Sequence, residues 1–142
     1  MMEPDNLIDA VLQRYAAAVH AKDVEAFAAL YAADVRVFDL WGEWACEGIA
    51  AWRAMAESWF GSLGDERVVV TFDSVRTMVA GDMALVHGFV TYQGVARDGT
   101  PLRAMHNRMT QGLRRRDGAW KVVHEHTSSP VDFATGKAML SR

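Results

Sequence analysis

The stretch VHGFVTYQGVARDGTPLRAMHNRMTQGLRRRDGAWKVVHEHTSS, residues 86–129, decides the fold. Two Asp-Gly pairs, Asp98-Gly99 and Asp117-Gly118, interrupt runs rich in valine, threonine, methionine and aromatic side chains. Asp-Gly between such runs is the signature of a two-residue hairpin loop, whose central residues need positive φ. Gly81-Asp82 gives a further turn signal upstream. Together the turns divide residues 66–128 into four long antiparallel strands in a meander.

Two-residue loops fix the register. Arg116 then stands opposite Ala119, Leu113 opposite Val122, Gln111 opposite His124 and Met109 opposite His126. Across the earlier turn Gln111 faces Val86, Met109 faces Gly88 and Asn107 faces Val90. Paired residues share a face. His124, His126, Gln111, Asn107, Met109 and Val122 are therefore expected on one side, and Glu125, Thr127, His87 and His106 on the other. The first side is the more apolar and should lie under the helices. A single β-bulge would invert the assignment beyond it.

Upstream the period changes. Leu7, Ile8, Val11, Leu12, Tyr15, Ala18 and Val19 form one helical stripe. Asp23 reads as an N-cap for a short helix carrying Val24, Phe27, Ala28 and Tyr31 on one side. VRVFD, 35–39, reads as a short strand and LWGEWACEG, 40–48, as a loop. Ile49, Trp52, Ala56, Trp59, Phe60 and Leu63 give a third amphipathic helix, with Gly61 or Gly64 as its stop. Helices first and sheet second make the class α+β: three N-terminal helices packed across one face of a curved antiparallel sheet.

The 142 residues, 51% hydrophobic and with a formal charge of −3, suit one domain spanning 1–142. No basic stripe stands out, so nucleic acid is not an expected partner. Arg114–Arg116 beside a turn reads as a solvated strand end. Cys46 is the single cysteine and cannot form an internal disulfide. MMEPDNLIDAV lacks the basic start and apolar run of a signal peptide, and no stretch approaches the roughly 20 apolar residues of a membrane span. A cytoplasmic location is expected, with no membrane partner. No glycine-rich phosphate loop occurs, so no organic cofactor is expected.

A twisted sheet under three helices need not close, and an opening between them leaves a cone-shaped pocket. Tyr15 from the first helix, Asp39 from the end of the short strand, and His124, His126, Gln111 and Asn107 from the sheet are expected to project into it. Met109 and Val122 belong to the same face, and Trp41 and Trp44 sit on a loop at the mouth. The two histidines lie roughly 7 Å apart, twice the strand rise. Zinc takes three or four ligands and only Asp39 offers a third, so no metal is expected. Each residue keeps a structural alternative: Asp39 as a loop cap, Tyr15 as a core aromatic, the histidines as hydrogen-bonded core groups.

The sequence resembles the nuclear transport factor 2-like superfamily, which holds SnoaL-like polyketide cyclases, ketosteroid isomerases and kinase association domains. QRYAAAVHAKDVEAFAALYAADVRVFD, 13–39, is similar to the beginning of a ketosteroid isomerase. EGIAAWRAMAESW (47–59), the DGTP turn (98–101) and RRDGAWKVVHEHTSS (115–129) look more like the association domain of calcium/calmodulin-dependent kinase II. The resemblance implies a single SnoaL-like domain with a cystatin-like cone. It also implies Tyr15 as an oxyanion donor and Asp39 as a proton-carrying base. His126 or His124, imidazoles that titrate near neutrality, is expected as the second acid/base or orienting group beside them. Gln111 or Thr110 stands where the isomerases have a second acid, and Gln111 where the association domains have an arginine. The function so implied is binding of a small, largely apolar carbonyl-bearing or aromatic molecule, with proton transfer of isomerase, cyclase or dehydratase type. The alternative is a non-catalytic oligomerisation or ligand-sensing module. A homodimer through the outer sheet face is expected with either.

Overall fold

The computed structural model describes residues 4–142. Helix α1 (Pro4–Ala21) and the short α2 (Val24–Ala28) precede strand β1 (Tyr31–Phe38). A two-residue strand β2 (Cys46–Glu47) leads into α3 (Ile49–Ser62). The meander follows as β3 (Arg67–Ala80), β4 (Met83–Val95), β5 (Pro101–Arg116) and β6 (Ala119–Ser128). The result is α+β, with one six-stranded sheet in the order β2-β1-β6-β5-β4-β3.

Local sequence explains most boundaries. The α1 stripe is buried as expected, at Ile8, Val11, Leu12, Tyr15, Ala18 and Val19. The Asp23 carboxylate accepts from the Ala26 N–H at 3.0 Å and caps α2. Gly64, at φ +58°, ends α3 in the left-handed region that a side chain would disfavour.

Three expectations about the upstream half need correction. The helices do not form one N-terminal run, because β1 and β2 intervene before α3. Tyr31 opens β1 rather than closing α2. β1 pairs in parallel with β6, a long-range pairing that carries no hairpin signal.

The meander is present, and its register was legible only in part. β4 and β5 pair as expected, Gln111 with Val86, Met109 with Gly88 and Asn107 with Val90. Their loop is wider than two residues: Ala96 N–H donates to Thr100 O at 2.9 Å and Gly99 N–H to Ala96 O at 2.8 Å. Asp117-Gly118 has positive φ at both positions, 53° and 78°, the two-residue turn its sequence predicts. Arg116 faces Ala119 and Leu113 faces Val122, again as expected. The next pair is Gly112 with His124. Val123 is therefore one residue extra, a β-bulge, and it reverses every side chain of β6 beyond it. Glu125 now pairs with Gln111 and Thr127 with Met109, while His124 and His126 take the outer face.

A second irregularity bends the sheet. β3 is interrupted between Asp73 and Arg76, with Ser74 at φ +55°. Opposite it, a Cβ on Gly88 would lie 3.1 Å from both the Asp73 carbonyl oxygen and Val75 Cγ2, so glycine lets the two strands close up.

The core lies between the helices and the inner sheet face. Phe27 is wholly buried at its centre. Its ring lies 5.6 Å from Tyr15, 5.2 Å from Tyr31, 6.0 Å from Trp52 and 5.8 Å from Phe60, centroid to centroid. It joins α1, α2, α3 and β1 in one contact. Phe27→Ala should therefore destabilise the fold by about 3–5 kcal/mol in urea denaturation. A loss below about 1 kcal/mol, the range of ordinary surface changes, would show that this cluster does not hold the helices to the sheet.

Candidate functional site

A cavity of about 660 Å³ opens between the helices and the inner face of the sheet. Trp52, Met55, Trp59 and Leu63 of α3 and its cap form one wall; Val68, Tyr92, Ala104 and Met105 of the sheet form the other. The lining is mainly apolar, with Tyr15, Asp39, Asn107, Glu125 and Thr127 among its polar groups, and Arg103 also lines it.

Glu125 is the group that the sequence reading put on the wrong face. It is 1% exposed. Tyr31 OH donates to its Oε1 at 2.8 Å and Gln111 Nε2 donates to the same oxygen at 2.7 Å. Oε2 has no hydrogen-bond partner among the described residues, and Glu125 lines the cavity. Burial pushes its carboxyl up from 4.5 to about 7; the two donors oppose that rise and the nearby Asp39 charge adds to it.

Asp39 follows β1, whose parallel pairing with β6 brings it beside Thr127. Thr127 Oγ1 donates to Asp39 Oδ1 at 3.0 Å and accepts from Leu40 N–H at 2.9 Å. Burial raises the Asp39 carboxyl, and the Thr127 bond offsets part of that rise. Glu125 and Thr127 sit two apart on one strand face, roughly 7 Å. The two carboxyls are thus neighbours, Asp39 bonded to Thr127 and Glu125 two residues from that threonine on the same strand face.

Tyr15 and Tyr92 place their hydroxyls 2.8 Å apart. Burial holds both phenols well above their ordinary range, so both stay protonated and one O–H remains free to donate into the cavity. Trp52 Nε1 and Asn107 Oδ1 are buried polar atoms without a protein partner, and both residues line the cavity.

The structure thus brings Tyr15, Asp39, Asn107 and Trp41 to one cavity. It corrects several other expectations. His124 and His126 lie on the outer face, flanking Phe38 at ring distances of 4.9 and 5.5 Å. His124 Nδ1–H donates to the Arg36 carbonyl oxygen at 2.6 Å, which fixes that ring away from the cavity. The bulge at Val123 is the cause. Trp44 is 98% exposed and does not line the cavity. Met109 and Val122 pack into the core, and Gln111 acts on Glu125 rather than facing the open space. Glu125, Tyr92 and Tyr31 were missed. The available signal was a glutamate set between two histidines, and without the bulge it points outward. Among the described residues no group of three or more His, Cys, Asp or Glu is placed to hold a metal ion, and no helix is long and apolar enough to cross a membrane.

The sequence profile of the SnoaL-like domain matches residues 8–132. An NTF2-like protein of unknown function from Pseudomonas putida superposes with a TM-score of 0.84 at 29% identity, over 100% of this chain and 99% of that one. A Xanthomonas campestris protein named for the calcium/calmodulin-dependent protein kinase II association domain superposes at 0.75, with 17% identity over 89% and 88%. Aln2 from a Streptomyces species superposes at 0.78, with 18% identity over 90% and 93%. The last two likenesses are of fold alone. No curated protein matches the chain.

The Glu125 environment sets a pH dependence. The folded state holds this proton more tightly than the unfolded chain, so the contribution is complete below about 4.5 and is lost as pH rises to about 7. At about 1.4 kcal/mol per pH unit, stability should fall by about 3 kcal/mol across that window. Glu125→Gln should flatten the decline in urea denaturation series at pH 5 and pH 8. An equal decline in the variant would place the titrating group elsewhere.

Proposed function

The chain belongs to the SnoaL-like domain family, and from that premise we propose that it binds a small, largely apolar carbonyl compound and moves a proton on it. One observation carries this reading: two carboxyls that burial has raised line a single apolar cavity beside a pair of protonated tyrosines. Asp39 takes a proton from the carbon next to the carbonyl. The oxygen that gains charge receives a hydrogen bond from the Tyr15–Tyr92 pair or from protonated Glu125. Glu125 is poised for that role near neutrality, because both of its protein donors reach Oε1 and Oε2 is left for the ligand. Gln111 and Tyr31 fix its direction. Returning the proton at a second carbon gives an isomerisation; expelling a β-leaving group gives a dehydration; attack of the enolate on an electrophile within the same molecule gives a cyclisation.

Exchange of α-protons into deuterium oxide, followed by NMR across a panel of apolar ketones, tests this without knowledge of the natural substrate. The wild-type chain should exchange at least one of them, and Asp39→Asn should slow exchange by about 10²–10⁴-fold. The wild-type rate should fall above pH 7 as Glu125 loses its proton, a limb that Glu125→Gln removes. Full exchange by Asp39→Asn, or none by the wild type on any ketone, sinks the proposal.

A second reading, assembly of copies through the outer sheet face, is favoured by one patch. Met78 of β3 pairs with Leu85 of β4, Met83 stands next along the same face, and all three are exposed. In this reading sedimentation at micromolar concentration gives a dimer, and Met78→Asp with Leu85→Asp gives a monomer. A wild-type monomer would remove it.

A further inference from the structure

β6 ends at Ser128, opposite Arg108, while β5 runs on to Pro101. The chain after β6 returns to this uncovered part of β5. Residues 130–139 first fold back on themselves. Asp132 N–H donates to Lys137 O at 2.8 Å and Met139 N–H to Pro130 O at 2.8 Å, and Val131 bridges Ala138. Val131 and Phe133 are exposed, so this small hairpin is not anchored by apolar burial.

Its far end is attached differently. His106 N–H donates to Leu140 O at 2.8 Å, which continues the β5 edge by one bond. The Leu140 side chain, half-buried, is part of the cavity lining. Two residues on, Arg142 reaches the other face of the sheet. Its Nη2 lies 3.0 Å from Asp73 Oδ1 on β3, and its guanidinium carbon lies 4.0 Å from the centre of the Phe89 ring on β4. The segment thus hooks over the sheet edge, with a leucine inside and an arginine outside. Both partners of the ion pair are about half exposed, and exposed pairs hold weakly.

We propose that residues 129–142 form a removable wall of the ligand cavity. Leu140 touches the bound molecule, and the Arg142 latch on Asp73 and Phe89 sets how fast that molecule enters and leaves. This rests on the reading of the cavity as a ligand site. Arg142 does not line the cavity, so loosening it changes rates in both directions more than it changes affinity. Leu140 does line it, so shortening that side chain weakens binding itself.

The test uses 1-N-phenylnaphthylamine, a neutral apolar fluorophore whose binding does not respond directly to the loss of a positive charge. Stopped-flow binding to the full chain should show association and dissociation both faster by about two- to fivefold in Arg142→Gln and in Asp73→Asn, the size of one exposed ion pair. Leu140→Ala should raise the dissociation constant, with most of the change in the dissociation rate. Amide hydrogen exchange gives a readout that needs no ligand: the His106 N–H should lose protection in both latch variants, and the Val90 N–H should not. Unchanged rates in both latch variants overturn the wall. A wild-type chain that does not bind the fluorophore counts against the cavity as a ligand site. The wall then stands or falls on His106 exchange alone, and equal protection in wild type and variants refutes it.

Discussion

One extra residue in β6 governs the site. Val123 has no partner across the Leu113–Val122 and Gly112–His124 pairs, and beyond it the strand presents its other side inward. That turn carries a carboxylate into the core and two imidazoles out of it. A glutamate buried to this degree is costly unless its oxygens are bonded. The same half-turn supplies the remedy, because Glu125 now pairs with Gln111 across the ladder and lies under the Tyr31 hydroxyl. Without the bulge Gln111 would face His124, and the Tyr31 hydroxyl would have no acid to bind.

The arrangement carries a cost in stability. An apolar pair of the same shape in place of Glu125 and Gln111 would remove a desolvation cost. What the carboxyl supplies is a proton held near neutral pH in a mainly apolar cavity, next to a second carboxyl just after β1. The parallel β1–β6 pairing is what makes them neighbours, since it lays Phe38 beside His126 and brings Asp39 to Thr127. The aromatic cluster around Phe27 packs β1 against α1 and α3, so the strand that leads into Asp39 is held by the core.

Much of this was legible before any coordinate. The α1 stripe from Ile8 to Val19, the Asp23 cap and the Asp117-Gly118 turn are local codes. Each depends on residues within a turn or two of one another, and each folded as read. The α+β class and the antiparallel meander follow from those codes alone. Tyr15 and Asn107 lie on regular elements whose faces are fixed by period, Asp39 directly follows one, and all three line the cavity.

Tertiary structure alone decided the remainder. A bulge has no code in VVHEH: the choice to insert Val123 follows from how well Glu125, Thr127 and their partners pack on two distant strands. Parallel pairing of β1 with β6 joins residues 88 apart, which no local pattern records. The wall at Leu140 likewise depends on where β6 stops and on Arg142 meeting Asp73 across the sheet. The sequence determined which elements form and which residues are apolar enough to be covered. Which polar side chain each strand turns inward was settled by long-range register, and a single residue's slip reverses it because the side-chain period of a strand is two.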